Sequence, residues 1–134
     1  HLMISKSAHM PVREGGMECA SCHNPHGTPT KGNLRATTVN ELCYSCHADK
    51  RGPLLWEHAP VREDCMNCHE PHGSNHASLL KSERPRLCQR CHIEARHPTT
   101  PQAAATRFVF NRSCSNCHSQ IHGSNHPSGV RFQR

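Results

Sequence analysis

Hydrophobic positions along this chain rarely keep a period long enough to define an element. No segment alternates apolar and polar residues as a half-buried strand does, and no apolar run approaches the length of a membrane span. Helical patterning is confined to short pieces. TTVNELCYSCHADK (37–50) offers a threonine cap with Glu41 following. SLLKSERPRLCQRCHIEAR (78–96) is broken by Pro85, and AAATRFVF (103–110) has room for a turn or two. Ten Pro and eight Gly punctuate the chain at PHG, GTPTKG, RGP, HAP and HPTTP. The expected fold class is mostly irregular chain with a few short α-helices and no significant β-sheet.

So little pattern raises the question of what holds the chain together. Leu, Ile, Val and Phe number 19 of 134 residues, about 14%. Burial yields roughly 25 cal/mol per Å², against a backbone entropy cost of about 1–2 kcal/mol per residue. A polypeptide this poor in aliphatic side chains cannot offset that cost alone and would stay disordered. A core must come from elsewhere.

The cysteines indicate its source. All ten fall in five copies of one motif: CASCH (19–23), CYSCH (43–47), CMNCH (65–69), CQRCH (88–92) and CSNCH (114–118). C-x-x-C-H is the attachment signature of c-type haem. The thiols of Cys19 and Cys22, Cys43 and Cys46, Cys65 and Cys68, Cys88 and Cys91, and Cys114 and Cys117 each join the vinyl groups of one porphyrin. His23, His47, His69, His92 and His118 then reach the five irons from one face. A zinc site would pair one CxxC with another or with an HxxxH and leave no systematic extra His. A disulfide scaffold has no use for a His at that place. Five covalent haems are the expected cofactor, and their apolar plates become the expected core. Their propionates also bring the formal +6 close to neutral when oxidised and to about −4 when reduced, so the basic balance predicts no nucleic-acid partner.

The motifs begin at residues 19, 43, 65, 88 and 114, which calls for a repeat search. The clearest self-similarity has twice that period. HMPVREGGMECASCHNPHG (9–27) aligns with HAPVREDCMNCHEPHGSNH (58–76), and a degenerate third copy runs from His97 to SCSNCHSQIHGSNHP (113–127). Between them lie the simpler NELCYSCH (40–47) and PRLCQRCH (85–92). The organisation reads as one pentahaem unit over residues 1–134, with two-haem repeats at about 9–57 and 58–96 and a half repeat at 97–134.

Nine of the fourteen His lie outside the motifs. With five irons each offering a second axial position, bis-His ligation is the simplest account. In CHNPH and CHEPH the second imidazole follows the first by three residues, too few for the chain to cross a porphyrin. His26 is therefore expected to serve the haem of Cys43 and Cys46, and His72 that of Cys88 and Cys91. The opening histidines His9, His58 and His97 are expected on haems one, three and five. His122 then has no following motif; it is expected to be free or recruited internally in a complete five-haem carrier. His1, His76 and His126 are further candidates, with His76 at the surface or supporting a ligand. Met3, Met10, Met17 and Met66 read as filler or exposed side chains. Arg84, Arg86, Arg90 and Arg96 pair with propionates or form a solvated face, and Tyr44 and Trp56 cover haem edges.

The CHxPHG sequences, the HxPVRE openings and the alternation of rich and simple motifs resemble the paired-CxxCH multihaem c-type cytochromes. That group includes periplasmic decahaem electron-conduit cytochromes and the pentahaem donor to cytochrome c nitrite reductase. The resemblance implies an elongated haem wire with bis-His irons and little secondary structure. The expected function is electron transfer between redox partners such as quinol-linked donors, terminal reductases or other cytochromes, without catalysis. The alternatives are the subunit of an extracellular conductive filament, in which a terminal His1 ligates the next subunit, and a multihaem reductase with an open axial site. Haem attachment of this type takes place outside the cytoplasmic membrane, so a periplasmic or extracellular location is expected. No signal peptide is visible, and the chain opens on His, as it would after export processing.

Overall fold

A computed structural model describes residues 6–93 and 113–133. Regular structure within them is brief: α1 (Met10–Arg13), α2 (Cys19–Cys22), α3 (Val39–Tyr44), α4 (Ala59–Glu63) and α5 (Arg86–Gln89), with several single 3-10 turns. The 37–50 pattern shortens to the six residues of α3. Thr38 caps them, its hydroxyl accepting from the Glu41 N–H at 3.1 Å. In 78–96 the helix is α5, which starts directly after Pro85. The 103–110 piece lies outside the described residues. One two-stranded antiparallel ladder is present, β1 (Trp56–Glu57) against β2 (Gly123–Ser124). The irregular fold class with short helices and no significant sheet is what the structure shows.

Irregular does not mean arbitrary, because the units repeat bond for bond. In the first, Asn24 N–H donates to Asn33 O and Arg35 N–H to Cys22 O; in the second, Glu70 N–H donates to Leu79 O and Lys81 N–H to Cys68 O. The matching bridges His23↔Leu34 and His69↔Leu80 close the same loop after each rich motif. α1 and α4 also correspond. Each follows an opening histidine, His9 or His58, at its N-cap and carries a Pro in its first turn, where the missing N–H costs no intrahelical bond.

Contacts between units are polar and of long sequence range. The stretch before each opening histidine pairs with the Gly-Ser of the next unit, Ser7 with Ser74 and Trp56 with Ser124. Asn40, buried at the start of α3, binds the second unit in three ways. Its amide donates to Val61 O at 2.9 Å and Arg62 O at 3.0 Å, and its oxygen accepts from Cys65 N–H at 2.7 Å. One side chain thereby locks the second motif against the third. Asn40→Ala leaves three backbone groups without this partner, and a buried unsatisfied group costs about 1–3 kcal/mol. Denaturant unfolding of the haem-loaded protein should show a loss of roughly that size or more.

Among the described residues the one buried hydrophobic is Leu80; Asn40, Ser74 and Ser124 are buried polar residues. A domain of this length ordinarily buries a contiguous apolar core. The aliphatic shortage of the composition is therefore a shortage in three dimensions as well. Haem-free polypeptide is expected to show no cooperative thermal transition by circular dichroism, whereas the haem-loaded protein should unfold cooperatively.

Candidate functional site

Each CxxCH motif forms the same local turn. The N–H of the motif His returns to the carbonyl of the first Cys in all five: His23 to Cys19, His47 to Cys43, His92 to Cys88 and His118 to Cys114 at 2.9 Å, and His69 to Cys65 at 3.1 Å. One helical turn between thiols three residues apart puts both on the same side of the backbone, with the imidazole beside them. That is the arrangement needed to hold one porphyrin edge and address its metal.

The rings of the rich-motif histidines are held by backbone carbonyls. His23 Nδ1 donates to Gly32 O at 2.6 Å, His69 Nδ1 to Ser78 O at 2.9 Å, and His118 Nδ1 to Arg131 O at 2.5 Å. A carbonyl only accepts, so Nδ1 carries the proton and Nε2 keeps its lone pair. This is the tautomer an Nε2-ligated metal requires, with the ring orientation fixed by the same bond.

Among the described residues a second imidazole faces the motif histidines His47, His23, His92 and His69. His9 faces His47 with centroids 6.3 Å apart and planes at 68°. His72 faces His23 at 5.9 Å and 19°, His58 faces His92 at 6.1 Å and 24°, and His122 faces His69 at 6.1 Å and 14°. A metal–imidazole bond is about 2.0–2.1 Å, and the ring centre lies roughly 1.1 Å behind the ligating nitrogen. Two imidazoles on opposite sides of one iron therefore have centroids about 6.3 Å apart. Four independent pairs fall within a few tenths of that value. The residues fit bis-ligated haem. They fit zinc poorly, since among the described residues no group of three or more His, Cys, Asp or Glu converges on one point. The ten cysteines are all unbridged.

Electrostatics favour the ligand form of three second imidazoles, His9, His58 and His122. Burial lowers the pKa of His9, assisted by the neighbouring His47. Burial likewise lowers His58, with the Ile121 backbone carbonyl pulling the other way, and His122, with the Lys50 charge adding to the effect. A lowered pKa keeps these rings neutral, as a metal ligand must be.

Successive motifs also lie side by side. Burial raises the Cys22 pKa first, and the nearby Cys43 and Cys46 thiols raise it further. The Cys65 thiol bonds to Cys43, holding Cys43 down at about 7 and itself above the ordinary range. Cys68 is raised by burial and then by Cys91, and Cys88 by burial, to about 11, together with Cys114. Thiols converted to thioethers no longer titrate. The lasting content of these couplings is proximity: first motif to second, second to third, third to fourth, and fourth to fifth.

The partners differ from those expected from position along the chain. His72 lies not at the fourth motif but at the first, and His9 not at the first but at the second. His58 stands at the fourth motif rather than the third. His122 has an internal partner, the third motif. The expectation sent each PHG histidine forward to the next motif. In the structure the Ser7↔Ser74 and Trp56↔Ser124 pairings fold each unit back onto the one before it, so the imidazole reaches backward. His26, expected at the second motif, is exposed; its backbone N–H is held by Asn24 Oδ1 at 3.1 Å. His76 sits 3.6 Å from the Glu83 carboxylate, and His126 Nδ1 accepts from Ser128 N–H at 3.1 Å. His1, His97, Met3 and Arg96 lie outside the described residues. Met10 is half exposed, and Arg84 donates to Ser115 Oγ at 2.8 Å. Trp56 lies against the Gly129 turn.

Two contributors escaped sequence reasoning. Phe132 packs on the His58 ring with centroids 5.5 Å apart, and Asn40 joins the second and third motifs. Neither stands within a CxxCH, and each acts across a long stretch of chain.

Fold and site together define a protein built to carry covalent c-type haem in series. The chain belongs to the family described by a doubled CXXCH motif, which matches residues 9–52 and 58–97. Among curated proteins it is 50% identical over 141 aligned positions to a protein named multiheme cytochrome MtrA, from Shewanella baltica (strain OS185). The alignment takes in 98% of this chain and 42% of that relative, so the chain spans less than half the relative's length. Among the described residues no helix is long and apolar enough to cross a membrane.

Proposed function

We propose that this chain is a five-haem electron-transfer unit in which CxxCH histidines share their irons with imidazoles distant in sequence, two of them from the same repeat unit and two from the next. The observation that carries the reading is the set of four facing imidazole pairs at 5.9–6.3 Å. Haem c supplies one-electron chemistry when bound, and occupation of both axial positions leaves no place for a substrate. This favours a carrier over a reductase. The assignment is His23 with His72, His47 with His9, His69 with His122 and His92 with His58, with His118 as the proximal ligand of the fifth site.

The polypeptide's task is then positioning. Asn40, the Gly-Ser ladders and the carbonyl-anchored imidazoles hold the five attachment edges in chain order, first to fifth. That sequence of neighbouring sites is a path for electrons between partners docking at different points along it. The multihaem relative supports this reading and an exported, periplasmic or extracellular setting. The donor and acceptor are redox proteins, such as quinol-linked enzymes, terminal reductases or other cytochromes. Residues 1–134 act as one unit with repeats at about 9–57, 58–96 and 97–134.

The tests are direct. Mass spectrometry of protein matured with haem-attachment machinery should count five covalent haems; fewer would refute the motif reading. His58→Ala should turn the haem of Cys88 and Cys91, about one-fifth of the iron, from low-spin to high-spin while the porphyrin stays attached. Unchanged low-spin spectra would remove His58 from the ligand set. Low-temperature EPR should separate the second haem from the others. Its imidazole planes stand near perpendicular, giving a strongly axial signal with a large principal g value, against rhombic signals from the three near-parallel pairs. His9→Ala should abolish that signal alone. Gly123→Ala should act at a distance: at φ +143° a Cβ would press on the Leu54 side chain and stand 2.9 Å from the Trp56 carbonyl. Displacing β2 should loosen His122 and raise the high-spin fraction at the haem of Cys65 and Cys68.

A further inference from the structure

We infer that Phe132 is the positioning residue of the fourth haem site: its ring fixes the plane of the His58 imidazole and shields that imidazole from water. The inference rests on the pairing of His58 with His92 proposed above and deepens it, naming what sets the ligand geometry at that one site.

The half-buried His58 ring has three neighbours from three parts of the chain. His92 faces it at 6.1 Å with planes at 24°, and the Ile121 carbonyl accepts a hydrogen bond from it. Phe132 packs against it with centroids 5.5 Å apart and planes at 50°. A single hydrogen bond leaves an imidazole free to rock about that bond. A second ring packed against it removes the freedom and excludes water from the same side. Among the described residues, no other facing pair has a Phe, Tyr or Trp ring packed on it.

The backbone that delivers Phe132 is unusual. Its φ is +51°, a left-handed conformation that a bulky side chain rarely adopts. Such a residue persists where its surroundings over-determine it, and that is the case here. The Phe132 N–H donates to Gly129 O at 3.2 Å, and its carbonyl accepts from Gln120 N–H at 2.9 Å. The flanking carbonyls are engaged as well, Arg131 O by His118 Nδ1 at 2.5 Å and Gln133 O by Ser119 Oγ at 3.0 Å. Trp56, two residues before His58, lies against the Gly129 turn. The turn carrying Phe132 is thereby fixed both to the fifth motif and to the strand leading into His58. Its ring is placed by contacts that do not depend on the imidazole it touches.

The angle between two axial imidazole planes sets the anisotropy of a low-spin ferric haem, and exclusion of water disfavours the ferric charge. Phe132 acts on both through His58. In haem-loaded protein the signal of the fourth haem is the one that His58→Ala removes. Phe132→Ala should leave that haem low-spin but displace and broaden its principal g line and lower its midpoint potential, while the other haems keep theirs. Phe132→Leu retains most of the apolar volume, should fold where the alanine does not, and should still displace the line. Phe132→Tyr should restore both line and potential. A native g line and potential in the folded alanine or leucine variant would overturn the inference. So would equal displacement at every haem, or a lowered unfolding midpoint with a native spectrum, since each marks a general structural role. His58→Ala separates the two possible failures. If the haem of Cys88 and Cys91 stays low-spin without His58, the pairing is wrong and the inference falls with it. If that haem turns high-spin while the Phe132 variants remain native in spectrum, only the positioning role falls.

Discussion

Imidazoles facing one another at the spacing of a shared metal are the constraint on which this structure depends: His23 with His72 and His69 with His122 join successive repeat units, while His47 with His9 and His92 with His58 each close one unit on itself. The polypeptide has one buried hydrophobic residue among those described, so no apolar core fixes the relation of one unit to the next. A shared metal can. Each backward-reaching histidine would become a cross-link of coordinate-bond strength between segments some fifty residues apart in sequence. Closing long loops in this way restricts the unfolded chain as well as tying the folded one.

This explains why the rest of the chain is allowed to be so plain. The helices have four to six residues, below the length at which a helix sustains itself; α2, α3 and α5 serve as turns that carry motif cysteines, and α1 and α4 as turns that follow an opening histidine. Polar contacts then carry out fine positioning. The carbonyls of Gly32, Ser78 and Arg131 orient rings, and Asn40 sets the second motif against the third. Under the proposed reading, sites held in file by such contacts would suit passing charge along the chain.

The placement of the motifs also joins folding to cofactor loading. Cysteines of successive motifs lie close enough to perturb one another, Cys43 with Cys65 and Cys88 with Cys114. Once haem is attached these thiols would be thioethers, and the same residues would hold the porphyrins of successive motifs. One set of contacts therefore acts at both stages.

The five CxxCH copies, the lack of aliphatic residues and the density of Gly and Pro were enough to read the cofactor, the irregular fold class and the alternation of rich and simple units. These depend on covalent chemistry and local backbone preference, which act within a few residues. The cap of α3 at Thr38 was readable for the same reason. What could not be read was which histidine faces which. A spacing of three residues from His69 to His72 excludes one shared iron but does not say whether the next partner lies forward or back. That direction is set by the pairing of Ser7 with Ser74 and Trp56 with Ser124, contacts between backbone groups that carry no side-chain signature. Asn40 and Phe132 were hidden likewise, since an asparagine before a motif and a phenylalanine in a tail gain meaning only from what long-range folding puts beside them. Local chemistry names the candidate imidazoles; only the tertiary fold, within a unit as between units, sets them face to face.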